Sequence, residues 1–259
     1  MLFVHEGNLI SKVNSNYNGQ GAKIHKFYQE QYLPVRAVLS KMVFSENDTS
    51  TFSRAAKVIN DYYRQLDVFS HKYSITSQSK FASTFLEEIS VYLFKDVPEI
   101  VTGEFGVFNK KVYAGLKIDQ NKQIGLITKD VDFCIGKKVN ISIDGQDSTE
   151  LILPVVAVEV KTYLDATMFG EIKSSSKAIR SASPNSKTYV LMGYKCIADE
   201  HIIAARQDST LTEMFVLREN KNSPIDAAAL YLYWKEIVSA IKDISKEDSI
   251  TVPGRLLRG

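Results

Sequence analysis

Glu159 and Lys161 interrupt the apolar run Pro154-Val-Val-Ala-Val158 near its end, and they stand two residues apart. If the run is a buried strand, positions two apart point to the same face and set the two charges side by side. Asp132 opens another short apolar strand, Phe133-Cys-Ile135. Carboxylates and an ammonium at the tips of buried strands are costly unless they bind a metal or do chemistry. Such acids suit a hard cation such as magnesium, which retains waters and leaves positions for phosphate oxygens. A neighbouring lysine can stabilise the charge that develops on a phosphorane, or help orient and deprotonate an attacking water. In-line hydrolysis of a phosphodiester is the reaction this set would support.

The elements that must position these residues are legible in the chain. Residues 1–20 are rich in Asn and Ser and read as a turn-forming arm without periodicity. Ala22 to Phe44 reads as one or two helices with Pro34 as the break, and Phe52 to Phe69 as another helix. Ser77 to Phe94 is a further helix, with Phe81, Phe85, Ile89, Tyr92 and Leu93 at helical spacing. At about 100° per residue, its Glu88 falls at the edge of the apolar face and Glu87 nearly opposite. The plain reading of that pair is one solvated and one snorkelling acid. Beyond Val97-Pro98 the texture turns to short β-rich runs: 105–116, 122–127, 131–135 and 139–143, with Asp144-Gly145 as a turn. Leu151 to Lys161 is the buried strand. A helix over 162–183, a strand over 187–194, a short helix and strand within 208–217 and a long helix over 227–244 follow. This order predicts an α/β (α+β) fold, a mixed central sheet flanked by helices with extra N-terminal helices, and a parallel crossover over 151–194.

Composition bounds the reading. With 259 residues, 44% hydrophobic, 24% charged and a net charge of +2, the chain resembles an ordinary globular protein. No apolar run is long enough to span a bilayer and the N-terminus lacks the pattern of a signal peptide, so a cytoplasmic location and no membrane partner are expected. Cys134 and Cys196 lie far apart in apolar segments and are expected to be buried free thiols. His5, His25, His71 and His201 show no metal-ligand spacing.

Asp132 with Glu159-x-Lys161 resembles the PD-(D/E)xK nuclease superfamily, and the surrounding residues are similar to the type II restriction endonucleases related to BbvCI and DdeI. The stretches that carry this likeness are Thr76-Ser-Gln-Ser-Lys-Phe81 leading to Leu86-Glu-Glu-Ile89, Lys129-Asp-Val-Asp-Phe133, and Val158-Glu-Val-Lys-Thr-Tyr-Leu-Asp165. The resemblance implies a restriction-endonuclease-like αβββαβ core with the acids on a central hairpin. It makes Asp132 and Glu159 ligands of Mg2+ and Lys161 the catalytic lysine. A helical acid joins the cluster in many members; Glu87 or Glu88 occupies that place, with helical geometry preferring Glu88. Asp130 is the alternative to Asp132 if the strand starts earlier. Val131 stands where the superfamily's name has proline. The distance in sequence from Asp132 to Glu159 is wide, which the 140–150 segment explains as an extended hairpin. Within one nuclease domain, 22–75 forms a helical N-terminal part, 76–194 the catalytic core and 195–259 a C-terminal strand and helix region.

An isolated Glu-x-Lys is usually a surface ion pair; burial of the strand and the order of the elements tilt the reading to a nuclease. Lys173, Lys177 and Arg180 on one helix, or Arg54 and Lys57 on another, are candidate phosphate contacts, although a solvated face is the commoner use of such residues. The expectation is therefore a Mg2+-dependent endonuclease cutting double-stranded DNA at a specific sequence as a homodimer or heterodimer. The alternatives are a repair or recombination nuclease on the same core, or a non-catalytic DNA-binding subunit.

Overall fold

The computed structural model describes residues 3–76, 79–142, 147–208 and 210–244. The Asp144-Gly145 turn, the start of the helix expected from Ser77 and the tail after Lys246 lie outside them.

The N-terminal arm is a helix, α1 (Val4–Asn14), against the expectation of an irregular segment. It buries only His5 and Leu9, one turn apart, so its sequence carries almost no amphipathic signal; its stability comes from what it docks on. α2 (Gly21–Phe27) leads through a π-helical stretch at Tyr28–Tyr32 into α3 (Leu33–Lys41). Pro34 sits in the first turn of α3, where a missing N–H costs nothing, so it starts a helix there. α4 (Thr49–Lys72) buries Phe52, Ala55, Ile59, Tyr62 and Leu66 along one stripe. α5 (Phe81–Phe94) starts after Lys80, whose left-handed φ of 61° breaks the helix expected from Ser77.

After the short α6 (Pro98–Val101) come β1 (Gly106–Phe108), β2 (Val112–Ile118), β3 (Ile124–Lys129), β4 (Phe133–Ile141) and β5 (Thr149–Leu164). α7 (Ala166–Ala182), β6 (Lys187–Lys195), α8 (Asp199–Asp208), β7 (Glu213–Val216) and α9 (Ala227–Ile244) complete the chain. The main sheet runs β1-β4-β5-β6-β7, with β2-β3 as a separate two-stranded sheet. β4 is antiparallel to β1 and β5, whereas β5, β6 and β7 are parallel, so the sheet is mixed as expected. The runs over 131–135 and 139–143, read as two strands, are the single strand β4. It pairs with β5 as far as Ile141 opposite Thr149, which makes the extended hairpin inferred for this region.

A register shift between Ile135 and Gly136 leaves Val155 as the extra residue of a bulge beside Pro154. Only glycine fits at 136, because a Cβ there would stand 2.3 Å from the Leu153 carbonyl oxygen. The sheet is covered on both faces. Val156, Val158 and Val160 enter the large core with helices α4, α5 and α9, while Ala157 and Cys134 pack with Val112 and Ile179 on the other side. This explains why β5 reads as a nearly unbroken apolar run. Cys134 is buried as expected, but Cys196, just beyond β6, is exposed; both are free thiols. No helix among the described residues is long and apolar enough to cross a membrane.

Candidate active site

The antiparallel register fixes where the charges meet. Phe133 pairs with Val158, so Asp132, immediately before β4, stands beside Glu159 at the open end of the hairpin. The backbone N–H of Val160 donates to Asp132 Oδ2 at 2.8 Å. Lys161 Nζ donates to the same oxygen at 3.0 Å and to Glu159 Oε2 at 3.0 Å. The predicted trio is thus brought together, with the ammonium between the two acids. The Glu159 side chain is only 14% exposed.

The electrostatics reflect crowding of acids in a half-dry place. Burial, then the charge of Asp132, pushes the Glu159 carboxyl up to about 7, with Lys161 pulling the other way. Burial works against the Lys161 ammonium, but the charges of Asp132 and Glu159 outweigh it and raise the lysine above its ordinary value. Lys161 therefore remains a cation.

The two helical acids separate. Glu87 is half-buried and raised to about 7, by burial first and then by Asp132 and Glu159, while Lys161 and Lys80 oppose. Phe94, two turns further along α5 and so on the same stripe as Glu87, packs on Phe133 with ring centroids 5.7 Å apart. Glu87 accordingly belongs to the stripe that faces the hairpin. The preference for Glu88 is corrected: it is fully buried away from the trio, and its carboxylate accepts from Tyr32, Tyr92 and the backbone of His5 and Glu6. The helical wheel places it on the apolar side, and that side packs on α1, a helix whose sequence shows no periodicity.

Asp130 is exposed in the link between β3 and β4, and since β4 starts only at Phe133 the condition for its use does not hold. Of the basic candidates, Lys177 is exposed on α7, with Lys173 and Arg180 half-buried on the same helix. On α4, Lys57 is exposed, and Arg54 is engaged by Thr51 and Asp48. Two contributors were missed by sequence reasoning: Lys80, whose charge acts on Glu87, and the Val160 N–H. A backbone donor leaves no trace in residue types. Among the described residues, no three of His, Cys, Asp and Glu form a ready-made metal cluster.

A mixed sheet with this helix arrangement recurs in a solved structure described as the native BbvCI A2B2 tetramer at low resolution. The match has a TM-score of 0.74 and 16% identity, over 93% of this chain and 98% of that one. That likeness defines the fold. Comparison with curated proteins by sequence found no match. The family model described as Bpu10I restriction endonuclease matches residues 78–240, and the chain belongs to that family.

Proposed function

We propose that the chain is a Mg2+-dependent type II restriction endonuclease that hydrolyses phosphodiester bonds of double-stranded DNA at a specific sequence, with Asp132, Glu159 and Lys161 as its catalytic residues. The observation that carries this reading is Lys161 Nζ held 3.0 Å from both Asp132 and Glu159 at the end of a buried hairpin. A divalent cation fits the residues present. Asp132 and Glu159 share one ammonium, and burial first, then the neighbouring acids, lifts Glu159 and the nearby Glu87 to about 7, so a cation there would offset negative charge that the lysines only partly balance. Magnesium commonly takes one or two carboxylates and fills its remaining positions with water and phosphate oxygens.

Asp132 and Glu159 would hold the ion, with Glu87 completing the acidic wall. The bound ion supplies Lewis acidity and a water of lowered pKa. The Val160 N–H keeps Asp132 in place. Lys161, charged and flanked by acids, orients the attacking water and steadies negative charge as it builds on the phosphorane. Cutting both strands of a duplex calls for two such sites, hence a dimer of like or unlike subunits. The A2B2 assembly described for the BbvCI structure supports an oligomer of some kind. Lys173, Lys177 and Arg180 on α7, with Arg54 and Lys57 on α4, are proposed phosphate contacts, Lys177 foremost because it is exposed. Free thiols suit a reducing cytoplasm.

The test is plasmid digestion in magnesium and in EDTA, followed by sequencing of the fragment ends. Discrete bands with a common end sequence, absent in EDTA, are expected. Nicking without discrete bands would favour a repair-type nuclease, and binding without any cleavage a silent subunit.

A further inference from the structure

Glu88 is buried without exposure, yet all its hydrogen-bonding capacity is spent within the protein. Its Oε1 accepts from the hydroxyls of Tyr32 at 2.8 Å and Tyr92 at 2.6 Å. Its Oε2 accepts from the backbone N–H of His5 at 2.9 Å and of Glu6 at 3.2 Å. Those amides belong to the first turn of α1, whose own N-cap residue, Phe3, makes no side-chain cap. Glu88 thus caps α1 from another helix, where a carboxylate also complements the positive end of the helix dipole. The neighbouring groups are satisfied too. The Thr84 hydroxyl donates to the Lys80 carbonyl at 2.7 Å, so it accepts from His5 Nδ1 at 2.9 Å, and His5 Nε2 accepts from the Tyr62 hydroxyl at 2.7 Å. No lone pair of Glu88 is left for a metal.

The next residue toward the N-terminus is Glu87, about 100° round the helix. It lies on the stripe that packs through Phe94 onto Phe133, next to Asp132. Rotation or sliding of α5 would move Glu87 relative to the two strand-borne acids. We infer that Glu88 is a positioning residue: by tying α1 and the Tyr28–Tyr32 segment to α5, it fixes the helix face that presents Glu87 to Asp132 and Glu159. The inference rests on the nuclease reading above and assigns Glu88 a role apart from metal ligation.

A double-mutant cycle on the full chain separates this role from plain stabilisation. Mn2+ binding by calorimetry is measured for wild type, Glu87→Gln, Glu88→Gln and the double variant, alongside single-turnover cleavage. Glu88→Gln keeps the side-chain volume but removes the negative charge at the α1 N-terminus and leaves one oxygen where two accepted. With that oxygen turned to the His5 and Glu6 N–H groups, the amide NH2 must face the Tyr32 and Tyr92 hydroxyls, which lose their acceptor. Loss of supporting contacts around a ligand typically costs roughly 10- to 100-fold in metal affinity. Glu88→Gln is expected to lose about that much, with kcat falling and KM for DNA unchanged, and the double variant is expected to bind no more weakly than Glu87→Gln alone. Wild-type Mn2+ affinity in folded Glu88→Gln, or losses that multiply in the double variant, would overturn the inference. If Glu88→Gln does not fold, Tyr92→Phe, which removes one donor, should show a smaller loss that disappears in the Glu87→Gln background; a loss that persists there overturns it. A wild-type chain that neither binds Mn2+ nor cuts DNA would instead remove the nuclease reading and this inference with it.

Discussion

The backbone N–H of Val160 is bonded to Asp132 Oδ2 at 2.8 Å, so the strand that carries Glu159 and Lys161 also holds their partner acid by its main chain. Removing the charge and removing the anchor are therefore separable. Asp132→Asn can present its amide oxygen to Val160 and should keep the fold, while cleavage falls on the order of 10²-fold or more. Asp132→Ala leaves the Val160 amide without its partner and should also lower stability by about 1–3 kcal/mol. Melting curves and single-turnover rates for the two variants check this; equal stability of both would contradict the anchoring role.

A pH dependence follows from the crowded acids. Glu159 and Glu87 titrate near 7 in the folded, metal-free protein and near the ordinary glutamate value when unfolded. Between those values the folded state holds more protons, so their effect on stability grows more unfavourable as pH rises toward and through 7. The metal-free melting temperature of Glu159→Gln, relative to wild type, should accordingly increase from pH 5 to pH 8, and magnesium should shrink the gap at pH 8. Lys161, raised by its neighbours, stays charged throughout. A gap independent of pH would contradict the electrostatic picture.

Backbone contact beside the site gives a sterically defined prediction. A Cβ on Gly193 of β6 would stand 2.4 Å from the Thr162 carbonyl oxygen, next to Lys161, whereas one on Gly170 of α7 meets nothing within 4 Å. Gly193→Ala should destabilise the protein by about 1–3 kcal/mol and depress cleavage. Gly170→Ala should be neutral or stabilising by up to about 1 kcal/mol. Thermal melts of the two decide it; a Gly193→Ala protein as stable as wild type would show that β5 and β6 separate more easily than their spacing implies.

What was legible in the sequence was what periodicity and burial encode. The apolar run of β5, interrupted near its end by Glu159 and Lys161, announces a buried strand with charges at its tip, whereas the hairpin that sets Asp132 beside them is implied by the family resemblance and not by periodicity. Helices α4, α5 and α9 were visible from their stripes. Hidden were features that exist only through tertiary contact. α1 is a helix because Glu88 caps it and Leu9 is buried, so residues 1–20 looked irregular. For the same reason Glu88, placed rightly on the apolar side, was given the wrong partner. β2 and β3 were readable as strands, but that they pair with each other outside the main sheet was not.

Lys177 provides a check on the proposed phosphate contacts. It is exposed on α7, the helix that follows β5. If it neutralises one phosphate, Lys177→Ala should weaken binding alike on all duplex sequences and reduce the slope of log affinity against log salt by about 0.9. Fluorescence anisotropy with metal-free protein at several salt concentrations measures it, and an unchanged slope would assign the residue to solvent alone.

The most direct measurement compares wild type, Glu159→Gln and Lys161→Ala in single-turnover cleavage of a plasmid with saturating magnesium, with DNA binding measured in parallel. Both variants should bind DNA as wild type does while cleavage drops on the order of 10²- to 10⁴-fold. Full cleavage by Lys161→Ala would contradict it, because the ammonium 3.0 Å from both Asp132 and Glu159 is the centre of the proposed site.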